Sequence, residues 1–314
     1  MNAREQVAVL TIALLAAFAD GSKDEREREE IKRIADSLAG EAGAPQWSQL
    51  YQSVLLKRVN VSQAAAALTD PTHRQLAYEM AVCVCDADAV ASDAETKFLQ
   101  ELKSALGLDS KQTTVVEREA AALTGAPLPD AQPIGGSVKQ ATMSDAELDK
   151  YILDHSIVNG AIELLPQSLA TMAIIPLQIK LVYRIGQAYG HQLDKGHIRE
   201  FLATAGVGLT SQYVEQFGRK LLGGLLGSVA GGLGRGLGRV GAGAAFSFAT
   251  TYAIGQLAKR YYAGGRQMST DLIQQTYQSL LGQAKQLQGQ YSPEIEQKAR
   301  MLDAGQVMQM VRSS

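Results

Sequence analysis

The sequence predicts an all-α protein: an N-terminal helical bundle with two internal repeats, then a C-terminal helical module carrying a glycine-rich membrane-associating or self-packing segment. Three observations predict it. Residues up to about 110 repeat at an offset of 68. Three short acidic motifs have the spacing of helix capping boxes. A glycine run over residues 218–243 sorts its glycines and leucines onto opposite helical faces.

The repeat pairs ALLAAFADGSKDEREREEIKRIADSL with MAVCVCDADAVASDAETKFLQELKSAL. Asp20 matches Asp88, and Glu27 matches Glu95. Ile31, Ile34 and Leu38 match Leu99, Leu102 and Leu106. Each copy reads as an apolar helix, a short acidic turn and an amphipathic helix. In both turns, Asp24 to Glu27 and Ser92 to Glu95, the first side chain accepts from a backbone N–H and the glutamate reaches back. Acidic residues there also suit the helix dipole. Because the N-terminal apolar run is one copy of an internal motif, it is expected to be a core helix and not a cleaved export signal. Cys83 and Cys85 stand two apart in the second copy. Helical positions i and i+2 do not face each other, so buried free thiols are expected.

The Ala19-Asp20-Gly21 step with Glu27, echoed by Ala87-Asp88-Ala89 with Glu95, resembles the TerB-like tellurite-resistance family. That resemblance spans roughly residues 5–122. It implies an all-helical domain linked to bacterial stress responses, with suspected metal sensing through its acidic turns. The metal set would be Asp20, Asp24, Glu27, Asp86, Asp88 and Glu95, hard oxygen ligands suited to calcium, magnesium or manganese. The spacing is not that of an EF-hand loop. Helix capping is the competing use of the same carboxylates. Ala89 stands where that family usually has glycine.

Charge divides the chain further. Residues 1–122 carry a net −6, 123–163 a net −4, 164–268 a net +8, and 269–314 are neutral. Residues 123–143 hold three prolines beside Gly135-Gly136 and read as a linker. The expected organisation is a domain at 1–122, that linker, a glycine-rich module at 144–268 and a C-terminal helical segment at 269–314. Ser144 and Glu147 form the third capping box. Residues 164–179 lack any charge, but sixteen residues interrupted by Pro166 and Pro176 fall short of the ~20 a transmembrane helix needs.

Within IIPLQIKLVYRIGQAYGHQL, Pro176, the Leu177-Gln178-Ile179-Lys180 step and Tyr189-Gly190 resemble the YcjF-like family of GTPase-associated domains. The resemblance covers roughly 150–268. It implies membrane association at the bacterial inner membrane and a GTPase or other stress-response protein as partner. No GTPase motif occurs in this chain.

The glycine run has 11 glycines in residues 218–243. Gly236, Gly238 and Gly241 match G-x-G-x-x-G, but no strand pattern precedes them and the next acidic residue is Asp271, so a dinucleotide site is not expected. At about 100° per residue, Gly223, Gly227, Gly231, Gly234, Gly238 and Gly241 fall within roughly 80° of one another. Leu222, Leu226, Leu233 and Leu237 lie opposite. Such a seam lets helix backbones approach closely, offsetting about 10 kcal/mol of lost helix propensity. Arg235 and Arg239 argue against a plain span, since each costs about 2.5–3.5 kcal/mol at a bilayer centre. A hairpin or interfacial helix on an anionic membrane surface remains. The basic residues are not interleaved with aromatics, so nucleic acid is not an expected partner.

Finally, Ile273, Tyr277, Leu280, Ala284, Leu287 and Tyr291 form a heptad-like stripe on a helix expected to end before Pro293. The four histidines have no metalloprotease or Cys/His pattern, and there is no G-x-S-x-G. The chain is therefore expected to be non-enzymatic. The expected role is a stress-response adaptor or sensor on membrane lipids at the cytoplasmic face of the inner membrane. The alternative is a soluble, cytoplasmic, self-assembling protein, with homo-oligomers packed through the glycine seam.

Overall fold

The computed structural model describes residues 1–20, 31–32, 47–88, 92–126, 128, 143–165, 168–222 and 241–312. Among these residues the chain is all-helical, as the sequence predicts. In chain order the first helices are α1 (Ala3–Ala17), α2 (Trp47–Leu55), α3 (Val61–Ala66), α4 (Pro71–Cys85), α5 (Asp93–Leu106), α6 (Ser110–Thr124) and α7 (Asp145–Glu163). They are followed by α8 (Ser168–Met172), α9 (Ile174–Ala188), α10 (Lys195–Thr204), α11 (Leu209–Leu222), α12 (Gly241–Ala263), α13 (Thr270–Met301) and α14 (Ala304–Arg312). Backbone contacts divide the chain into two compact units. The first is residues 1–125 with 208–239, and the second is 126–207 with 240–314.

In the first unit, α1 is buried almost all round, which is why its apolar residues show no single face. Asn2 caps it: Asn2 Oδ1 accepts the Glu5 N–H at 3.0 Å, and Glu5 Oε2 accepts the Asn2 N–H at 3.1 Å. Helices α2, α3, α4 and α11 surround it. Pro71 opens α4 at a position where its missing N–H costs nothing. Cys83 and Cys85 are free and buried there, as expected. Helix α5 begins with the Ser92–Glu95 box and ends at Gly107, whose φ of 63° is left-handed. Phe98, Leu102 and Leu106 are its buried positions, with Leu99 half-buried. In the first copy of the repeat, Ile31 is buried, while Asp24, Glu27, Ile34 and Leu38 lie outside the described residues.

The contacts divide the chain differently from composition. Helix α11, on the basic side of the linker, packs on α1 and α4. Its Tyr213 and Phe217 are fully buried, with ring centroids 6.2 Å apart. Its Gln216 is also fully buried, and among the described residues neither end of the amide finds a hydrogen-bond partner.

The second unit is built on α7 and α12, with α13 across both. The Ser144–Glu147 box forms as predicted. Helices α7 and α12 approach too closely for side chains at two points. A Cβ on Gly160 would lie 3.2 Å from the Ala244 carbonyl oxygen, and one on Gly255 would lie 2.6 Å from Ile152 Cγ2. The interface is polar as well. The Thr251 hydroxyl accepts from Asn159 Nδ2 and Gln178 Nε2, each at 3.0 Å, and Ser247 donates to Glu163 Oε2 at 3.1 Å. At one end Lys259 Nζ reaches Asp149 at 2.9 Å and Asp145 at 3.3 Å. The uncharged stretch at 164–179 contributes α8 and the start of α9, which is buried on nearly every side.

The C-terminal stripe docks within the second unit. Ile273, Tyr277, Leu280 and Ala284 are buried, and Tyr291 stacks on Phe248 at 5.9 Å. One expectation is corrected: α13 does not stop before Pro293 but runs through it to Met301. Pro293 forfeits one helical hydrogen bond. Ile295, 2% exposed in the cluster of Ala161, Ala244 and Phe248, supplies burial that holds the next turn in place. Residues 223–240, the core of the glycine run, lie outside the described residues. Among the described residues no helix is long and apolar enough to cross a membrane.

Candidate functional site

The metal set expected from the sequence falls at the acidic turns. Asp86 caps the end of α4 and opens the short 3-10 turn Asp86–Asp88. Asp20 follows α1 in a turn. Glu95 is buried at the third position of α5, where one carboxylate oxygen accepts the Ser92 N–H at 2.9 Å and the Ser92 hydroxyl at 2.8 Å. Asp24 and Glu27 lie outside the described residues, and so does the side chain of Asp88. Among the described residues no group of three or more His, Cys, Asp or Glu side chains is placed to hold a metal ion.

The first unit instead gathers titratable groups that the sequence did not announce. Glu5 is buried, with His73 Nδ1 at 3.2 Å and the Thr69 hydroxyl donating at 3.3 Å. The Asn2 N–H, then His73, hold its carboxyl down at about 2. Tyr78, fully buried on α4, donates to Glu117 on α6. Burial is the main cause that pushes its phenol well up, and Glu117 adds to it.

In the second unit, chemistry-bearing side chains collect around α10. Asp194 caps this helix by accepting the His197 N–H at 2.8 Å, and its carboxylate also meets His197 Nδ1 at 2.9 Å. Two groupings adjoin the helix. Toward α9 lie Lys180, Arg184, Lys195 and Arg199. Burial, then the nearby Arg184 and Lys195, lower the pKa of Lys180, which is 8% exposed. Burial, then Arg199, lower that of Lys195. Four cations therefore crowd one half-buried region.

The other grouping is a cleft of about 190 Å³ lined by His197, Glu200, Phe201, Tyr261, Tyr262 and Arg266, among others. Phe201 packs on Tyr261 and Tyr262 with ring centroids 5.0 and 5.9 Å away. His191 Nε2 lies 3.2 Å from the Tyr262 carbonyl, bracing the same wall. Helix α12 ends in a turn where Gly265 and Arg266 have φ of 68° and 65°. The left-handed conformation is ordinary for glycine and uncommon for arginine. A hydrogen bond from Arg266 to Tyr261 is the leading cause that keeps the guanidinium firmly charged, and the Glu200 carboxylate adds to it. Sequence reasoning passed over this cleft. The available signal was the string YYAGGR, an aromatic pair followed by a two-glycine turn.

Comparison with known proteins adds a family-model match for the N-terminal part. Residues 2–120 match the family model described as "Protein of unknown function (DUF533)". The match covers the repeat and less than half of the chain, and it does not by itself name a TerB-like or YcjF-like domain. Neither a curated protein nor a solved structure matches this chain.

Proposed function

We propose that this protein is a non-enzymatic adaptor that docks on an anionic membrane surface through its second unit. The crowding of Lys180, Arg184, Lys195 and Arg199 carries the reading. These residues sit in the stretch 164–268, whose net charge is +8. Each basic residue brought to an anionic bilayer surface contributes about 1 kcal/mol. The N-terminal unit then serves as the sensing or partner-binding part, in keeping with the TerB-like resemblance of its repeat. The YcjF-like resemblance of residues 150–268 agrees with attachment to the cytoplasmic face of the inner membrane. A divalent cation at the acidic turns and a GTPase as partner belong to the same proposal.

Vesicle flotation of the full chain tests it. Binding is expected on vesicles with anionic phosphatidylglycerol and not on pure phosphatidylcholine. It should weaken steeply with salt. The variant Lys195→Glu/Arg199→Glu should lose it while keeping its helical circular-dichroism spectrum. Equal binding to neutral vesicles, or none to anionic ones, would overturn the reading. In the second case, light scattering that shows a homo-oligomer would favour self-assembly through the glycine run.

A further inference from the structure

The cleft beside α10 plays no part in the membrane reading, and its chemistry points to a soluble ligand. Two opposite charges line it. The guanidinium of Arg266 engages the Tyr261 side chain, while Glu200 acts on it only through its charge. A carboxylate and a guanidinium therefore line one space without being spent on each other. Phe201 and Tyr262, 5% and 3% exposed, back the cleft, whose surface is mainly polar. The space of about 190 Å³ is below the usual range for drug-sized ligands, roughly 300–1,000 Å³. At the ~30 Å³ that one water occupies in the liquid, it has room for about six, which suits a small molecule.

The backbone supports a fixed role for Arg266. Its N–H closes the turn on the Tyr261 carbonyl at 2.9 Å, which holds it in the left-handed region. Any non-glycine residue is strained there, and such strain concentrates at functional sites. His197 is held by Asp194 at 2.9 Å, so it edges the cleft in one orientation.

We propose that this cleft binds a small zwitterion, a free α-amino acid, with its ammonium at Glu200 and its carboxylate at Arg266. A carboxylate meets a guanidinium in two parallel hydrogen bonds, which fixes its orientation. An ammonium at Glu200 completes a pattern that neither a simple amine nor a simple acid reproduces.

Isothermal titration of the full chain with glycine, L-leucine and L-phenylalanine tests this. The two charge-deleted analogues of leucine, 3-methylbutylamine and 4-methylpentanoate, serve as controls. At least one of the three amino acids is expected to bind. Each analogue should bind at least about tenfold more weakly, because it leaves one charged group of the site unanswered. Glu200→Gln and Arg266→Gln should each weaken amino-acid binding by about tenfold or more. Both positions are exposed, so both variants should keep the parent melting temperature. They should also leave vesicle flotation unchanged, which separates this site from the cation crowd. No heat from any of the three amino acids up to about 10 mM would overturn the proposal. So would an affinity that neither variant alters.

Discussion

Where α1 meets α4, the helices bring Val9, Ile12, Ala13 and Ala16, with Ala77, Met80, Ala81 and Val84, into the core of the first unit, each no more than 2% exposed. Where α7 meets α12 in the second unit, the closest points are glycines, and Asn159, Glu163, Ser247 and Thr251 are buried between them. The first contact depends on area removed from water, which tolerates shifts of fit. The second depends on shape and on matched hydrogen bonds, which do not. The contrast teaches that the second unit has its register specified, whereas the first is chiefly held together.

Substitution at the close approach tests that contrast most severely. Gly255→Val pushes a branched side chain into Ile152, whose Cγ2 already lies 2.6 Å from a Cβ built at that position. A loss of about 3 kcal/mol is expected, read by urea denaturation. Native-state hydrogen exchange should confine the weakening to the second unit. Weakening spread evenly over both units would break the distinction.

An isosteric pair sharpens it. Thr251→Val removes an oxygen that two buried amides donate to, so a loss of about 2 kcal/mol is expected. Thr11→Val in α1 removes only a bond to the Val7 carbonyl of its own helix, and should cost less than about 0.5 kcal/mol. Equal losses in urea melts would show that the two interfaces obey the same rule.

The third test runs in the stabilising direction. Gln216 is a polar group in the first unit with no partner at either end of its amide among the described residues. Gln216→Met keeps the volume and removes the desolvation cost, so a gain of about 1 kcal/mol is expected as a higher melting temperature. A fall would mean that the amide is matched in solution.

A further test depends on pH. The carboxyl of Glu5 has a folded value near 2, below its ordinary value of 4.5. Its contribution to stability is therefore complete above 4.5 and is lost as pH falls from there toward 2. Glu5→Gln should flatten the acid limb of the first unit's stability in that window and leave the slope at neutral pH alone. An unchanged acid limb would remove Glu5 as its cause.

Local features were legible in the sequence. The boxes at Ser92–Glu95 and Ser144–Glu147 need only three residues of spacing, and both form. The buried thiols and the docked stripe from Ile273 to Ala284 follow from helical periodicity alone. What stayed hidden was non-local. Phe201 and Tyr261 stand sixty residues apart in the sequence, so no motif could announce the cleft. Gly160 and Gly255 are single glycines inside ordinary helical runs, and only the opposing helix gives them meaning. The conspicuous glycines at 223–240 drew attention from these two. Helix α11 adjoins that run and reads as part of it, though its contacts lie with α1 and α4.

The placement of α11 has a consequence for synthesis. The first unit draws on residues 1–125 and again on residues from 208 onward. Tyr213 and Phe217 leave the ribosome almost a hundred residues after α6. At about 5–20 residues per second, the earlier helices wait roughly 5–20 seconds with the surfaces that α11 covers still open. Over that interval the nascent chain is a ready client for a chaperone that recognises unpaired apolar helices.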